Sequence, residues 1–196
     1  MKEENVQAAR RELRQVPSAS DAKKETRIEA LFREYQQLVF RTAYRVTGST
    51  VDAEDVLQTV FMRLIAAERE DLSPSPASYL HRAAINASLD LMRAHTRARS
   101  QSLDTIDRDS LTSPGPGPEA AQAAAEIRNH VRKSIAQLGD KAAQVIVLRY
   151  FEGYGNREIA EILGTSHLVV GVILHRARGR LRGEFRKFLE GNHETH

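Results

Sequence analysis

From Ile28 onward, apolar residues recur at three- and four-residue steps, the spacing of one helix face, and this period governs most of the chain. Ile28, Leu31, Phe32, Tyr35, Leu38, Val39, Ala43 and Val46 predict an amphipathic helix over residues 27–47, ended by Gly48. Ser49 or Thr50 opens a second helix that buries Val56, Leu57, Val60, Phe61, Leu64 and Ile65. Asp52, Glu54 and Asp55 complement the positive end of its dipole. A charged loop over residues 68–75 leads to a third helix, opened by Pro76 or the residue after it. Tyr79, Leu80, Ala83, Ala84, Ala87 and Leu91 are its predicted inner side, while Arg82, Asn86, Asp90 and Arg93 share a polar face. Residues 99–119 are rich in Ser, Thr, Asp, Gly and Pro, and SPGPGP cannot continue a helix. Periodicity resumes from Ala120 to Leu138, with Ile127, Val131, Ile135 and Leu138 inward, and again over residues 141–151.

The stretch from Asn156 to Arg182 organises the C-terminal part. Ile159, Ala160, Ile162 and Leu163 form an apolar helical face, and Gly164 supplies the left-handed residue that ends a helix. Thr165 or Ser166 caps a second helix that buries Val170, Leu174, Ala177 and Leu181 and ends in Arg176, Arg178, Arg180 and Arg182. Helix, glycine turn and basic helix predict a helix-turn-helix; an ordinary helical hairpin with a solvated basic end is the plain alternative. Residues 168–174, LVVGVIL, lack the polar side chains that read base edges and would by propensity suit a buried strand. Their unbroken run into HRARGRLR keeps them helical.

The predicted fold is all-α, two small helical domains joined by a flexible linker. Residues 1–26 form a flexible tail with at most a loose helix around residues 5–15, and 27–98 the first domain. Residues 99–122 form the linker, 123–190 the second domain and 191–196 a tail.

Composition narrows the function. No apolar run approaches the roughly 18 residues of a membrane span, so no membrane insertion is expected, and the N-terminus lacks the apolar centre of a signal peptide. The chain has no cysteine, which excludes disulfides and cysteine-zinc sites and points to the cytoplasm. Net charge is +3, unevenly placed: residues 126–187 carry twelve Lys or Arg against six Asp or Glu, residues 27–99 ten against nine. The C-terminal part is therefore the expected polyanion binder.

Catalytic and metal signals are weak. The chain has no Walker loop, GxSxG or HExxH pattern and no Ser-His-Asp grouping. His193 and His196 stand three apart at an unanchored end, and the other histidines are scattered singly. No enzymatic activity, cofactor or metal is expected.

Taken together, these blocks resemble the extracytoplasmic-function (group 4) sigma factors of bacterial RNA polymerase, members of the sigma-70 family, over residues 28 to about 186. LFREYQQLVFRTAYRVTGSTVDAEDVLQTVFMRL is similar to the family's first conserved block, whose D-A-E-D-x-x-Q-x-x-F segment docks on the polymerase clamp. That resemblance implies core polymerase contacts at Asp52, Glu54, Asp55, Gln58 and Phe61. SYLHRAAINASLDLMRAHTR is similar to the helix that binds the promoter −10 element, implying DNA contacts at Tyr79, Arg82, Asn86, Asp90 and Arg93, with Tyr79 where Trp is usual. The loop over residues 68–78 then lies where the family captures a flipped base. The C-terminal block, from Leu148-Arg149 and Glu152-Gly153 through His175-Arg176-Ala177-Arg178, implies −35 or phosphate contacts at Ser166, His167, His175, Arg176, Arg178 and Arg180. Core RNA polymerase, promoter DNA and an anti-sigma factor are the partners the resemblance implies.

Two departures qualify it. The family pattern at residues 168–174 is close to G-T-V-K-S-R-L, and here the DNA-facing threonine, lysine, serine and arginine are Val169, Gly171, Val172 and Ile173. Leu138-Gly139 stands where Leu-Pro is usual. Two readings follow: an alternative sigma factor directing transcription initiation, or a sigma-like interaction regulator or decoy that has lost −35 recognition.

Overall fold

The computed structural model describes residues 19–67, 72, 75–101 and 118–193, and within them every regular element is an α-helix. In chain order these are α1 (Ala19–Thr47), α2 (Thr50–Ala66), α3 (Pro76–Gln101), α4 (Pro118–Ala136), α5 (Asp140–Tyr150), α6 (Asn156–Leu163) and α7 (His167–His193).

The helix ends follow local chemistry. Gly48, with φ of 76°, lets the chain turn sharply after α1, and the Ser49 hydroxyl accepts the Asp52 amide at 3.2 Å to cap α2. Ser75 caps α3 in the same way, accepting the Ser78 amide at 3.1 Å. Gly164, at φ 63° and ψ 46°, ends α6 in the left-handed conformation, and the Thr165 amide reaches back to the Ala160 carbonyl at 2.9 Å. The Ser166 hydroxyl then accepts the Val169 amide at 3.3 Å, opening α7, so Ser166 rather than Thr165 is its cap.

Several predicted boundaries move. Helix α1 starts at Ala19, within the stretch read as a flexible tail, because apolar periodicity marks only the buried part of a helix. The Ala, Lys and Glu residues before it are strong helix formers in their own right. The predicted loose helix at residues 5–15 lies outside the described residues. The linker is shorter than predicted at both ends, since α3 continues to Gln101 and α4 opens at Pro118; residues 102–117 lie outside the described set. Helix α7 runs to His193, past the predicted tail boundary, and residues 168–174 are helical within it, as predicted.

Helix α3 is the centre of the fold, packing against α2, α4, α5 and α6. Leu80 and Ala84 are fully buried, as predicted, but Ile85 and Leu89 are buried too and join a second core with Val46, Ile135, Leu138, Ala143, Val147 and Ile159. Val170, Leu174 and Ala177 seal that core from α7. Three residues assigned to inner faces, Phe32, Ile65 and Ile127, are instead exposed. Among the described residues no single helix is long and apolar enough to cross a membrane.

Candidate nucleic-acid interface

Three surfaces carry the charged and polar residues singled out by the sequence. On α2, Glu54, Asp55 and Gln58 are exposed one helical turn apart. Val51, Met62 and Ile65 are also exposed on α2, giving an acidic patch with an apolar border. Asp52 is partly covered, with His95 Nδ1 at 3.9 Å from its carboxylate. Phe61, expected among the docking residues, is 5% exposed and packs in the core beneath this patch.

On α3, Tyr79, Arg82, Asn86 and Arg93 lie along one face, but that face meets the C-terminal helices. The Asn86 carboxamide oxygen accepts a hydrogen bond from Gln144 Nε2 on α5 at 2.6 Å. Arg93 donates from Nε to the Ala136 carbonyl at 2.7 Å and from Nη2 to the Leu138 carbonyl at 3.0 Å, and its Nη1 pairs with Asp140 at 2.8 Å. These carbonyls close the end of α4, where a cation complements the helix dipole. Asp90 is exposed and lies 3.6 Å from Arg93 Nη1. Tyr79 and Arg82 border a cleft of about 750 Å³, with Lys141, Thr165, Val169 and Ile173 on its other side.

A charged cluster that sequence reasoning missed joins α1, α3 and the turn after α5. Arg45 of α1 donates to Glu152, in the turn after α5, at 2.5 Å across 107 positions of chain. His81 is buried with its Nε2 at 3.9 Å from the same carboxylate and its ring edge-on to Tyr154, centroids 5.6 Å apart. Burial pushes the His81 imidazole below its ordinary value; Glu152 pulls it upward, and Arg41 and Arg45 push it down again. Burial, with Glu152 and Glu158 nearby, likewise raises the Tyr154 phenol. No local pattern announces such a cluster, because its members lie on three separate segments.

The third surface is the outer side of α7. Helices α6 and α7 turn through 104°, within the range of helix-turn-helix pairs. The exposed side of α7 changes character along its length. Leu168, Val169 and Val172 are 70%, 45% and 51% exposed in the first two turns, and His175, Arg176, Arg178 and Arg180 are exposed beyond them. His167 is exposed, and Ser166 is exposed with its hydroxyl engaged in capping. Arg178 is held in place by Tyr150: its Nε donates to the phenol oxygen at 2.5 Å, and its guanidinium lies 5.7 Å from the ring centre.

Residues 31–98 match the family model for Sigma-70 region 2, and residues 128–181 match that for Sigma-70, region 4. The chain is 32% identical over 158 residues to the RNA polymerase sigma-E factor of Streptomyces coelicolor, covering 80% of this chain and 84% of that protein. It is 29% identical over 154 residues to the ECF RNA polymerase sigma factor SigE of Mycolicibacterium smegmatis, covering 79% of this chain and 60% of that longer protein. Among solved structures, the sigma factor RpoE in complex with the anti-sigma factor NepR, from Bartonella quintana, aligns with a TM-score of 0.47 at 19% identity. That alignment covers 86% of this chain and 98% of the other.

Proposed function

The chain belongs to the extracytoplasmic-function group of the sigma-70 family, and from that premise we propose that it is an alternative sigma factor. It binds core RNA polymerase, brings it to promoter DNA and directs transcription initiation, acting in the cytoplasm and leaving catalysis to the polymerase. Residues 27–98 carry polymerase docking and −10 recognition; residues 123–190 carry the upstream DNA contact.

One observation carries this reading: three surfaces of suitable chemistry occur in order along one chain. An acidic patch at Glu54 and Asp55 suits a basic or mixed protein surface. A stripe of Asn86, Arg82 and Arg93 suits an exposed base edge and its phosphates. A basic helix in a helix-turn-helix suits duplex DNA, with Arg176 and Arg180 supplying phosphate contacts that position without specifying sequence.

Exposed Leu168, Val169 and Val172 favour a second reading of the C-terminal part alone. Apolar surface there offers no hydrogen bonds to distinguish base pairs beyond contacts with the thymine methyl, and it suits a protein partner such as an anti-sigma factor. On that reading the chain is an interaction regulator with weak −35 discrimination.

The test is co-elution of the purified chain with core RNA polymerase, beside Asp55→Arg. The reading expects a stoichiometric complex for the native chain. It expects at least about tenfold weaker binding for the variant, because reversing one charge at a complementary interface costs more than its loss. Circular dichroism should be unchanged, since Asp55 is exposed. Equal binding by the variant would remove α2 as the docking surface.

A further inference from the structure

We propose that the cavity between the α1–α2 turn, the C-terminal part of α3 and the facing side of α4 is a binding site for a small phosphate anion, with Arg132 as its anchor.

Three segments far apart in sequence supply the walls. Gly48 and Ser49 form one, His95 of α3 a second, and Asn129, Arg132 and Lys133 of α4 the third. The last three stand at i, i+3 and i+4 and therefore share one face of their helix. The space is about 200 Å³, below the roughly 300–1,000 Å³ that encloses a drug-sized molecule. It suits a phosphoryl group and leaves any attached nucleoside in solvent.

Arg132 brings a charge here that the chain does not balance. Its guanidinium lies over Gly48, where a Cβ would overlap it, so glycine is what admits the cation. The dipole at the end of α1 attracts a positive charge to this place. Yet Arg132 Nε is buried without a hydrogen-bond partner, and no hydrogen bond from the described residues holds the two Nη nitrogens. Among the described residues no carboxylate lies within ion-pair distance of Arg132 or Lys133. Burial disfavours the charge on Arg132 and Arg128 adds to the effect, with Tyr44 opposing them. A partly buried cation without a counter-ion is costly, and a bound anion removes that cost.

Phosphate suits the donors better than a carboxylate does. A guanidinium edge takes two oxygens at once, and the other oxygens of a tetrahedral anion need donors from other directions. Lys133 and the Asn129 carboxamide supply them, as does the Ser49 hydroxyl, which accepts the Asp52 amide at 3.2 Å and keeps its proton to donate. Asp52 also lines the space and opposes an anion, with His95 Nδ1 3.9 Å from its carboxylate. Arg132 and Lys133 outweigh it, two charges to one.

An anion that joins the turn, α3 and α4 stabilises the full chain in proportion to its occupancy. Titrating the isotope-labelled chain with sodium phosphate, pyrophosphate or ATP, at ionic strength held constant with sodium chloride, reads this through amide NMR shifts and Tm. Saturable shifts should centre on Gly48, Ser49 and residues 129–133, with a rise in Tm that chloride does not reproduce. Arg132→Gln should weaken binding at least about tenfold. Arg186→Gln, which removes the same charge from an exposed position on α7, should change it less than about twofold. Lys133→Gln, at the exposed rim, should weaken binding by about threefold and decides the matter if Arg132→Gln does not fold. The same shifts with ATP would identify the phosphate of a nucleotide as the ligand, and binding of phosphate or pyrophosphate alone would identify the free anion; either supports the site. Shifts that fail to saturate, that chloride reproduces, or that centre on the arginines of α7 would overturn it. So would binding that Lys133→Gln leaves unchanged, or equal losses in Arg132→Gln and Arg186→Gln.

Discussion

Replacing Gly48 by alanine tests both the α1–α2 turn and the seating of α4 upon it. Gly48 has φ of 76°, where an L side chain costs about 1–2 kcal/mol because its Cβ crowds the adjoining backbone. A Cβ there would also overlap the guanidinium of Arg132, which lies over this glycine from α4. Arginine is flexible, so it would move aside, at about 1 kcal/mol of lost packing. The sum, about 2–3 kcal/mol, lowers Tm by roughly 4–12 °C for a domain of this size. Urea or thermal denaturation followed by circular dichroism measures it. The two contributions separate in an Arg132→Ala background: the strain persists, the overlap is gone, and the cost of Gly48→Ala should fall to about 1–2 kcal/mol. A cost below about 0.5 kcal/mol in the native background would refute the left-handed turn at Gly48, and the same cost in both backgrounds would refute the placement of Arg132 over it.

Three further outcomes follow from the site. Asn86→Ala in reconstituted polymerase should reduce promoter opening, read by permanganate footprinting, without lowering core binding; a native footprint would exclude Asn86 as a base reader. His81 titrates lower in the folded chain than its ordinary value near 6.5, so the unfolded chain binds more protons between the two values. Stability should fall as pH drops from about 6.5 toward that lower value, and His81→Phe, which keeps the ring packing on Tyr154, should flatten the profile of urea midpoints. Restoring polar residues on α7 (Val169→Thr, Gly171→Lys, Val172→Ser, Ile173→Arg) should raise duplex DNA affinity and steepen the log–log salt slope by up to about 2, one for each added cation. Space exists at Gly171, where a Cβ would meet nothing closer than Asn156 at 3.9 Å. An unchanged salt slope in a mobility-shift titration would show that this face does not lie on DNA.

What the sequence made legible was local. Gly164 as a helix stop and Ser49 as a cap are decided within four residues, and the structure bears both out. The inner face of α7, Val170, Leu174 and Ala177, is legible for the same reason. Periodicity fails where a stripe is wider or narrower than one face. Ile65 and Ile127 continue the spacing yet are exposed, while Ile85 and Leu89 lie off the predicted inner face yet are buried, because α3 is covered on two sides. Phe61 shows a different limit: a motif position can serve a surface by supporting the helix beneath it. The bonds from Arg93 to α4 and from Arg45 to Glu152 join segments 43 or more positions apart. An arginine at helical spacing reads the same whether it will meet a phosphate or a helix end.

The central claim is that this chain turns core polymerase into a promoter-specific enzyme. The most direct measurement is transcription of sheared genomic DNA from the source cell by purified core polymerase with and without the chain, with transcript 5′ ends sequenced. The account predicts start sites that appear only with the chain, share a common −10 sequence, and are lost with Asp55→Arg. Conservation upstream at −35 should be weaker, in keeping with the apolar start of α7. A chain that binds core polymerase yet adds no start sites would contradict the account and leave the interaction regulator as its function.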